Sequence, residues 1–490
     1  MFESAEIGHV LSPRDYRRDL PDLRRDLLAA QYELLHQGGR AVLVLVHGGD
    51  GAGKGETVNL LNEWMDPRHL RTEAIGPGEH DGRPDVWRFW QVLPPKGHVG
   101  ILFGSWYTDP IADRVAHRDD EDRFAHRLER IRQFERMLVA EGVVLLKLWF
   151  HLSKKATRER FKALQADPRT AWRVSRQDLQ ALRHFDARVR VAGDALRLTS
   201  TGEAPWHVID GSDAAWRSMT AGRQVLDALR AALAAPPSPT PPALPAAEAE
   251  ASSGLLAAQS YQRRMGHRRY ESTLEELQGR LNGLMRRLGA GRRSLVVVFE
   301  GMDAAGKGGS LRRVVQAMDA RQYRVVPIGP PNENERAQPY LWRFWRYIPR
   351  LGHATLFDRS WYGRVLVERV ERLCAEPDWR RAYAEINDFE EQLVEAGAVV
   401  VKFWLAITPE EQLRRFEHRS ETPHKVHKIT PEDWRNRERW PDYERAVEDM
   451  VDRTSTRIAP WHVVASDNKR WTRLAVLRIL CERLEQAVRD

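Results

Sequence analysis

Two stretches 253 positions apart constrain this chain more than anything else in it: Ala41–Gly55, AVLVLVHGGDGAGKG, and Ser294–Gly308, SLVVVFEGMDAAGKG. In each, an apolar run long enough for one buried strand gives way to glycines and a lysine, and then to a helical pattern. Strand, glycine-rich turn and helix form the setting that a phosphate-binding loop needs. Glycines let backbone N–H groups wrap an anion, the helix N-terminus adds positive potential, and the lysine brings a mobile charge. In the second stretch these parts are Gly301, Gly306, Gly308, Gly309 and Lys307. Gly308 stands where a Ser or Thr hydroxyl would usually help to hold magnesium.

The likeness extends beyond the loops. Ile75-Gly76-Pro77 answers Ile328-Gly329-Pro330; then two extra residues in the second copy lengthen the offset to 255. At that offset Trp87–Trp90 matches Trp342–Trp345, Ser105-Trp106-Tyr107 matches Ser360-Trp361-Tyr362, and Phe134-Glu135 matches Phe389-Glu390. Pro205–Val208 matches Pro460–Val463. A period this long is a duplicated domain, not a solenoid. The copies are expected at 13–233 and 255–490, joined by a Pro/Ala-rich, extended linker over 234–254. Strands are expected at 41–46, 99–103, 143–150 and 206–209, and again at 295–299, 354–357, 398–405 and 461–464. Strands alternating with helices predict an α/β fold, two tandem three-layer P-loop domains with parallel sheets.

Composition narrows the class. The 490 residues allow two or more domains, each with its own core. Charged residues make up 30%, and no apolar run approaches the ~20 residues of a membrane span. The first twenty residues lack the layout of a secretory signal, so a cytoplasmic protein without a membrane partner is expected. Only Cys374 and Cys481 are present, which excludes a disulfide framework and a cysteine-based zinc site. A net charge of +8 suits a polyanionic partner, yet no nucleic-acid-binding motif accompanies it.

In the second copy, Ala354–Phe357 reads as a strand that ends in Asp358-Arg359. Asp358 would stand at the carboxyl edge of the sheet beside the loop, able to hold magnesium directly or through water. Arg359 could meet phosphoryl oxygens where charge builds during transfer, or simply pair with an aspartate. Asp303 is the odd residue. A carboxylate inside a phosphate loop is repulsive unless a cation intervenes, which assigns it to the metal and to orienting or deprotonating the attacking group. Leu413–Lys428 is crowded with cations and reads as a helical flap that closes over phosphates, or as a solvated basic face. Trp342, Phe344, Trp345 and Trp361 could stack on a base, although aromatics at such spacing more often build core.

Gly301–Gly308 together with Asp358–Arg364 resembles the second family of polyphosphate kinases, and the resemblance covers both halves. It implies a thymidylate-kinase-like P-loop fold and transfer of the terminal phosphoryl of inorganic polyphosphate to a nucleotide. The implied cofactor is Mg2+, with Mn2+ as an alternative. The tandem arrangement is similar to fused members whose acceptor is AMP, giving ADP. On that resemblance Asp303 corresponds to the loop aspartate, Lys307 to the phosphate-binding lysine, and Asp358 and Arg359 to the second motif. Arg346 and Arg364 fall on further family arginines, and Arg415, Arg419, Lys425 and Lys428 fall in the basic lid.

The copies are unequal. Asp358 becomes Phe103, Arg359 becomes Gly104, Arg346 becomes Gln91, Arg364 becomes Asp109 and Arg419 becomes Leu164, while Asp50 and Lys54 are kept. Chemistry is therefore expected in the second copy, with the first as a structural partner in a covalent pseudo-dimer that could assemble further into a homo-oligomer. Two alternatives stand beside this reading: an ATP-dependent nucleotide kinase, and a module that binds a nucleotide or polyanion without turnover.

Overall fold

The computed structural model describes residues 2–76, 81–234, 254, 256, 258–422 and 429–489. Lys425, Lys428 and nearly all of the expected linker lie outside the described residues.

Each half carries one five-stranded sheet in which every neighbouring pair runs parallel. The first is built from β1 (Ala41–Gly48), β2 (Leu70–Ala74), β3 (Val99–Phe103), β4 (Val143–His151) and β5 (Trp206–Asp210), in the order β2-β3-β1-β4-β5. The second comprises β6 (Ser294–Gly301), β7 (Tyr323–Pro327), β8 (Ala354–Asp358), β9 (Ala398–Ala406) and β10 (Trp461–Ala465), in the same order, β7-β8-β6-β9-β10. The loop-bearing strand is central in both. Sequence patterning locates four strands per sheet, and the structure adds β2 and β7. These are edge strands, LRTEA and YRVVP, with Leu70 and Val326 alone fully buried, so no apolar run marks them.

Burial on both faces explains the near-continuous apolar runs of the central strands, as parallel sheets require. Pro13–Gln37, Lys54–Trp64 and Ala214–Ala234 cover one face of the first sheet, where Leu27, Leu61 and Val225 meet Val42 and Val44. Glu121–Ala140 and Phe185–Thr199 cover the other. In the second half, His267–Ala290, Lys307–Val315 and Lys469–Arg489 take the first role. Glu376–Glu395 and Trp440–Thr454 take the second. Phe344, Trp345 and Trp361 are core residues, packed edge-on to one another or to Phe389. Two compact units result, and each holds a short piece of the other repeat: one gathers Met1–Glu79, Arg88–Pro239 and Pro331–Trp342, the other His80–Trp87, Thr240–Pro330 and Arg343–Asp490.

One polar cluster breaks the apolar interior, and it recurs in both halves. Lys402, in the middle of β9, is fully buried and donates to Glu390 Oε2 at 2.7 Å, to the Tyr362 hydroxyl at 2.8 Å and to the Thr454 carbonyl at 2.7 Å. Glu390 Oε1 accepts from Trp361 Nε1 at 3.0 Å and from Tyr362 at 2.7 Å. In the first half Lys147, Glu135, Tyr107, Trp106 and Thr199 make the corresponding set, with the ion pair again at 2.7 Å. Burial pulls the Lys402 ammonium down from its usual range, and Glu390 counters it. A buried charge of this kind is tolerable only with its partner in place. Lys402→Met should therefore lower unfolding free energy by about 3–5 kcal/mol in urea titrations, because Glu390 is left buried without its cation. A loss below about 1 kcal/mol would show that the pair is not what holds this core.

Candidate active site

The loop of the second half begins where β6 ends and finishes at the first turn of Lys307–Val315. Gly301 is required by its backbone: φ is +149°, and a Cβ there would sit 2.6 Å from the Leu405 carbonyl of the neighbouring strand. Gly306 caps the helix at φ +107°, a left-handed conformation that leaves the helical N–H groups open to an anion. Gly308 has open space where a Cβ would be, and a Cβ on Gly309 would meet the Arg473 guanidinium at 3.4 Å. The Lys307 ammonium curls back over the loop to the carbonyls of Gly301 at 2.5 Å and Met302 at 3.4 Å.

Sheet register delivers the second carboxylate. Phe299 of β6 pairs with Asp358 of β8, so Asp358 ends its strand one position over from the loop. It acts electrostatically on Lys307, Arg359 and Glu300, and no hydrogen bond or ion pair engages its carboxylate among the described residues. Arg359 follows in a left-handed conformation, φ +63°, with its N–H fixed on the Phe299 carbonyl at 3.0 Å. That backbone costs an L-residue about 1–2 kcal/mol, and strain of this sort gathers at functional positions.

The guanidinium of Arg359 reaches Asp303, Nη2 to Oδ1 at 2.9 Å, and Asn436 Nδ2 donates to Oδ2 at 2.9 Å. Gln412 holds the Asp303 carbonyl at 3.0 Å. Burial pushes the Asp303 carboxyl up, but the charges of Lys307 and Arg359 and these hydrogen bonds outweigh it, leaving it below the usual range. It is an ionised, oriented group. Glu300 is buried, which raises its carboxyl, and it accepts from the Ser360 hydroxyl at 2.8 Å. Ser360 in turn accepts from the Tyr362 N–H at 3.3 Å, which links the site to the buried lysine cluster.

Arg415 takes a different place from that of a lid cation. Only 3% exposed, it donates to Ala304 O at 2.8 Å, Ala305 O at 3.3 Å, Ser466 O at 2.6 Å and Asp467 O at 2.9 Å, and it pairs with Glu411 at 2.7 Å. It braces the loop from behind instead of facing a ligand. Arg364 is mostly buried against Glu368 at 2.9 Å, Arg346 is exposed with its guanidinium 6.0 Å from the Tyr347 ring, and Arg419 lies in the last turn of Pro409–Ser420. Sequence reasoning did not single out Glu300, Asn436, Gln412 or Arg473. Glu300 alone left a signal, as the acidic residue that interrupts the strand where the first copy has His47.

A hard divalent cation would suit the donor set. Among the described residues no hydrogen bond or ion pair engages the Asp358 carboxylate, Asp303 and Asp358 both act electrostatically on Lys307 and Arg359, and no three His, Cys, Asp or Glu side chains gather into a cage. A hard cation of that kind takes one or two carboxylates and completes its shell with water and substrate phosphates.

The first copy shows what happens when these groups are lost. Lys54 curls over Gly48 O at 2.7 Å much as Lys307 does over Gly301, but Asp50 is taken by Arg188. His47 replaces Glu300 and meets Ser105 at 2.7 Å; burial, then Lys54 and Arg188, push it down to about 3, so it stays neutral. Glu56 stands where the second copy has Gly309, and it draws Arg217 at 2.8 Å, Arg160 at 3.1 Å and Arg173 at 3.4 Å. The helix N-terminus that would hold an anion already has a carboxylate of its own. Gly104, φ +83°, has no room for a side chain, since a Cβ would come 2.6 Å from the Ile75 carbonyl. Restoring Arg at this position would require the backbone to shift.

Comparison with known proteins follows the same division. The profile of the family described as Polyphosphate kinase 2 matches residues 10–236 and 264–490. A polyphosphate:AMP phosphotransferase of Pseudomonas syringae pv. tomato is 51% identical over 491 residues, covering 99% of both chains. A protein of the same name from Pseudomonas aeruginosa is 50% identical over 99% of both. A crystal structure of a Pseudomonas aeruginosa PA01 chain assigned to polyphosphate kinase 2 superposes with a TM-score of 0.89 at 47% identity, covering 100% of this chain and 99% of that one.

If Glu56 is what keeps anions out of the first loop, Glu56→Gly should create a site. Calorimetric titration with inorganic tripolyphosphate should rise from one bound anion per chain toward two. Unchanged stoichiometry would show that the carboxylate is not the block.

Proposed function

The chain belongs to the Polyphosphate kinase 2 family, and on that premise we propose that its second copy moves the terminal phosphoryl of inorganic polyphosphate to AMP, giving ADP. The observation that carries this reading is the convergence of Lys307, Arg359, Asp303 and Asp358 on one loop, in a copy that retains every charge its twin has lost.

In this reaction a phosphate oxygen of AMP attacks the terminal phosphorus of the chain. One P–O–P bond breaks, another forms, and the shortened polyphosphate leaves with the electron pair. Both reactants are anions, so the main task of the protein is to bring them together against repulsion and hold them in line. The helix N-terminus, Lys307 and Arg473 receive the polyphosphate end. Arg359, 41% exposed in its side chain, exchanges Asp303 for the phosphoryl oxygens as charge accumulates there. Asp303 orients the acceptor. An AMP phosphate, with a second pKa of about 6, needs little deprotonation at neutral pH, so the acceptor requires orientation more than a base. Asp358, with help from Asp303, would hold a magnesium ion that would supply charge neutralisation, and manganese would serve the same donors. Because the bonds exchanged are alike, the reverse reaction, lengthening polyphosphate from ADP, is also open.

No helix among the described residues is long and apolar enough to cross a membrane.

The reading is tested with AMP, magnesium and either polyphosphate or ATP as sole donor. Polyphosphate should support ADP formation; activity with ATP alone would replace the proposal with an ATP-dependent kinase. Lys307→Ala should lower the rate by ~100-fold or more, whereas Lys54→Ala should leave it within about threefold. Equal losses would contradict the division of labour. Chelation by EDTA should abolish transfer, and Mg2+ or Mn2+ should restore it.

A further inference from the structure

One short helix, Pro431–Glu438, reaches Asp303 by two routes. Asn436 donates from Nδ2 to the carboxylate at 2.9 Å. Its neighbour Arg437 donates to the Gln412 side-chain oxygen at 3.2 Å, and Gln412 donates to the Asp303 carbonyl at 3.0 Å. From the next helix, Trp440–Thr454, the Tyr443 hydroxyl donates to Asn436 Oδ1 at 3.3 Å. That contact decides which end of the amide faces the aspartate: the phenol takes the oxygen and leaves the NH2 for Asp303. Burial pushes the phenol up, so it stays protonated and donating.

The duplication supplies a control. The equivalent helices, Arg176–Arg183 and Phe185–Thr199, begin and end at the same 255 offset, and Ser175 with Asp178 repeats the capping box of Thr430 with Asp433. The helices correspond while the side chains are exchanged. Asn436 becomes Ala181, Arg437 becomes Leu182, Gln412 becomes Thr157 and Tyr443 becomes Arg188. Thr157 bonds the Ser153 carbonyl of its own helix, and Arg188 pairs with Asp50. In the first copy, which has Gly104 in place of Arg359, a cation borne on the helix takes the loop aspartate. In the second, the same helix position is a neutral tyrosine, and an amide reaches the aspartate.

This difference is one of charge. An arginine that orients a carboxylate also neutralises it, whereas an amide orients it and leaves the charge whole. In the reaction set out above, Arg359 gives up Asp303 Oδ1 for the phosphoryl oxygens. Oδ2 then keeps its donor in Asn436, so the carboxylate does not swing free. We propose that Asn436, set by Tyr443, is a positioning residue for phosphoryl transfer: it keeps Asp303 aimed and fully charged while Arg359 is engaged by the phosphoryl group. The inference rests on the preceding one, in which Asp303 orients the acceptor. It assigns Asn436 to the transfer step and not to capture of either substrate.

The test uses the full-length chain with AMP, polyphosphate and magnesium, and thermal unfolding of each variant to verify its fold. Asn436→Ala deletes the donor. Asn436→Asp keeps the shape and replaces the donor by a second carboxylate. The first should lower kcat about tenfold and the second about 100-fold, with KM for AMP and for polyphosphate within about threefold. A role in packing alone predicts the opposite order, since aspartate fills the space that alanine leaves empty. Tyr443→Phe deletes only a hydroxyl, adds no charge, and should lower kcat about threefold. The assignment is overturned if kcat of Asn436→Ala stays within twofold of the unaltered chain, if Asn436→Asp is the more active of the two, or if KM rises while kcat holds. In each of these cases the unaltered chain still transfers phosphoryl from polyphosphate, so the reaction stands without the positioning residue. An unaltered chain that transfers nothing removes the reaction, and this assignment with it.

Discussion

A lysine buried in the middle of a β-strand is the constraint on which each half of this protein depends. Lys402 and Lys147 have no water to solvate them, so Glu390 and Glu135 must lie within 2.7 Å, and each glutamate also accepts from a tryptophan and a tyrosine. In the second half those two aromatics are Trp361 and Tyr362, immediately after Asp358-Arg359-Ser360. The ion pair therefore anchors the segment that presents the second carboxylate and the strained arginine. Ser360 carries the connection onward to Glu300 at the start of the loop. Position at the sheet edge comes from strand register, and rigidity comes from the core.

The duplication separates scaffold from chemistry inside a single chain. The lysine, glutamate, tyrosine and tryptophan of the anchor recur in both halves, with the lysine–glutamate and tyrosine–glutamate contacts at 2.7 Å in each. The loop lysine and aspartate recur as well, but most of the other charged groups around them do not. Glu300 gives way to a neutral His47, Asp358 to Phe103, Arg359 to Gly104, and Gly309 to Glu56. The first loop keeps its lysine, while Glu56 in the first turn of the following helix pairs with three arginines.

Much of this was legible in the sequence because it rests on patterns that sequence displays directly. The strand–loop–helix stretches, the repeat and the apolar central strands announce two parallel-sheet domains. The edge strands β2 and β7 escaped because an exposed edge has no apolar run to show. Asp303, Lys307, Asp358 and Arg359 stood out as charges in places where charge is costly. Their pairing did not: Arg359 reaches across to Asp303, leaving its sequence neighbour Asp358 open, which depends on a left-handed turn that no composition reveals. Arg415 reads as one more cation in a basic helix, yet it is buried and ties two carbonyls of the phosphate loop to two that follow β10. Asn436 and Gln412 are ordinary polar residues until tertiary structure brings them to Asp303.

The separation of form from charge is tested most directly by where an inert substrate analogue binds. A crystal structure of the full chain with magnesium and a methylene-bridged tetraphosphate should show the anion along Gly301–Gly309, against Lys307 and the helix N-terminus. The loop over Gly48–Gly55 should remain empty. Equal occupancy of both loops, or an analogue seated in the first alone, would contradict the assignment of phosphoryl chemistry to the second half.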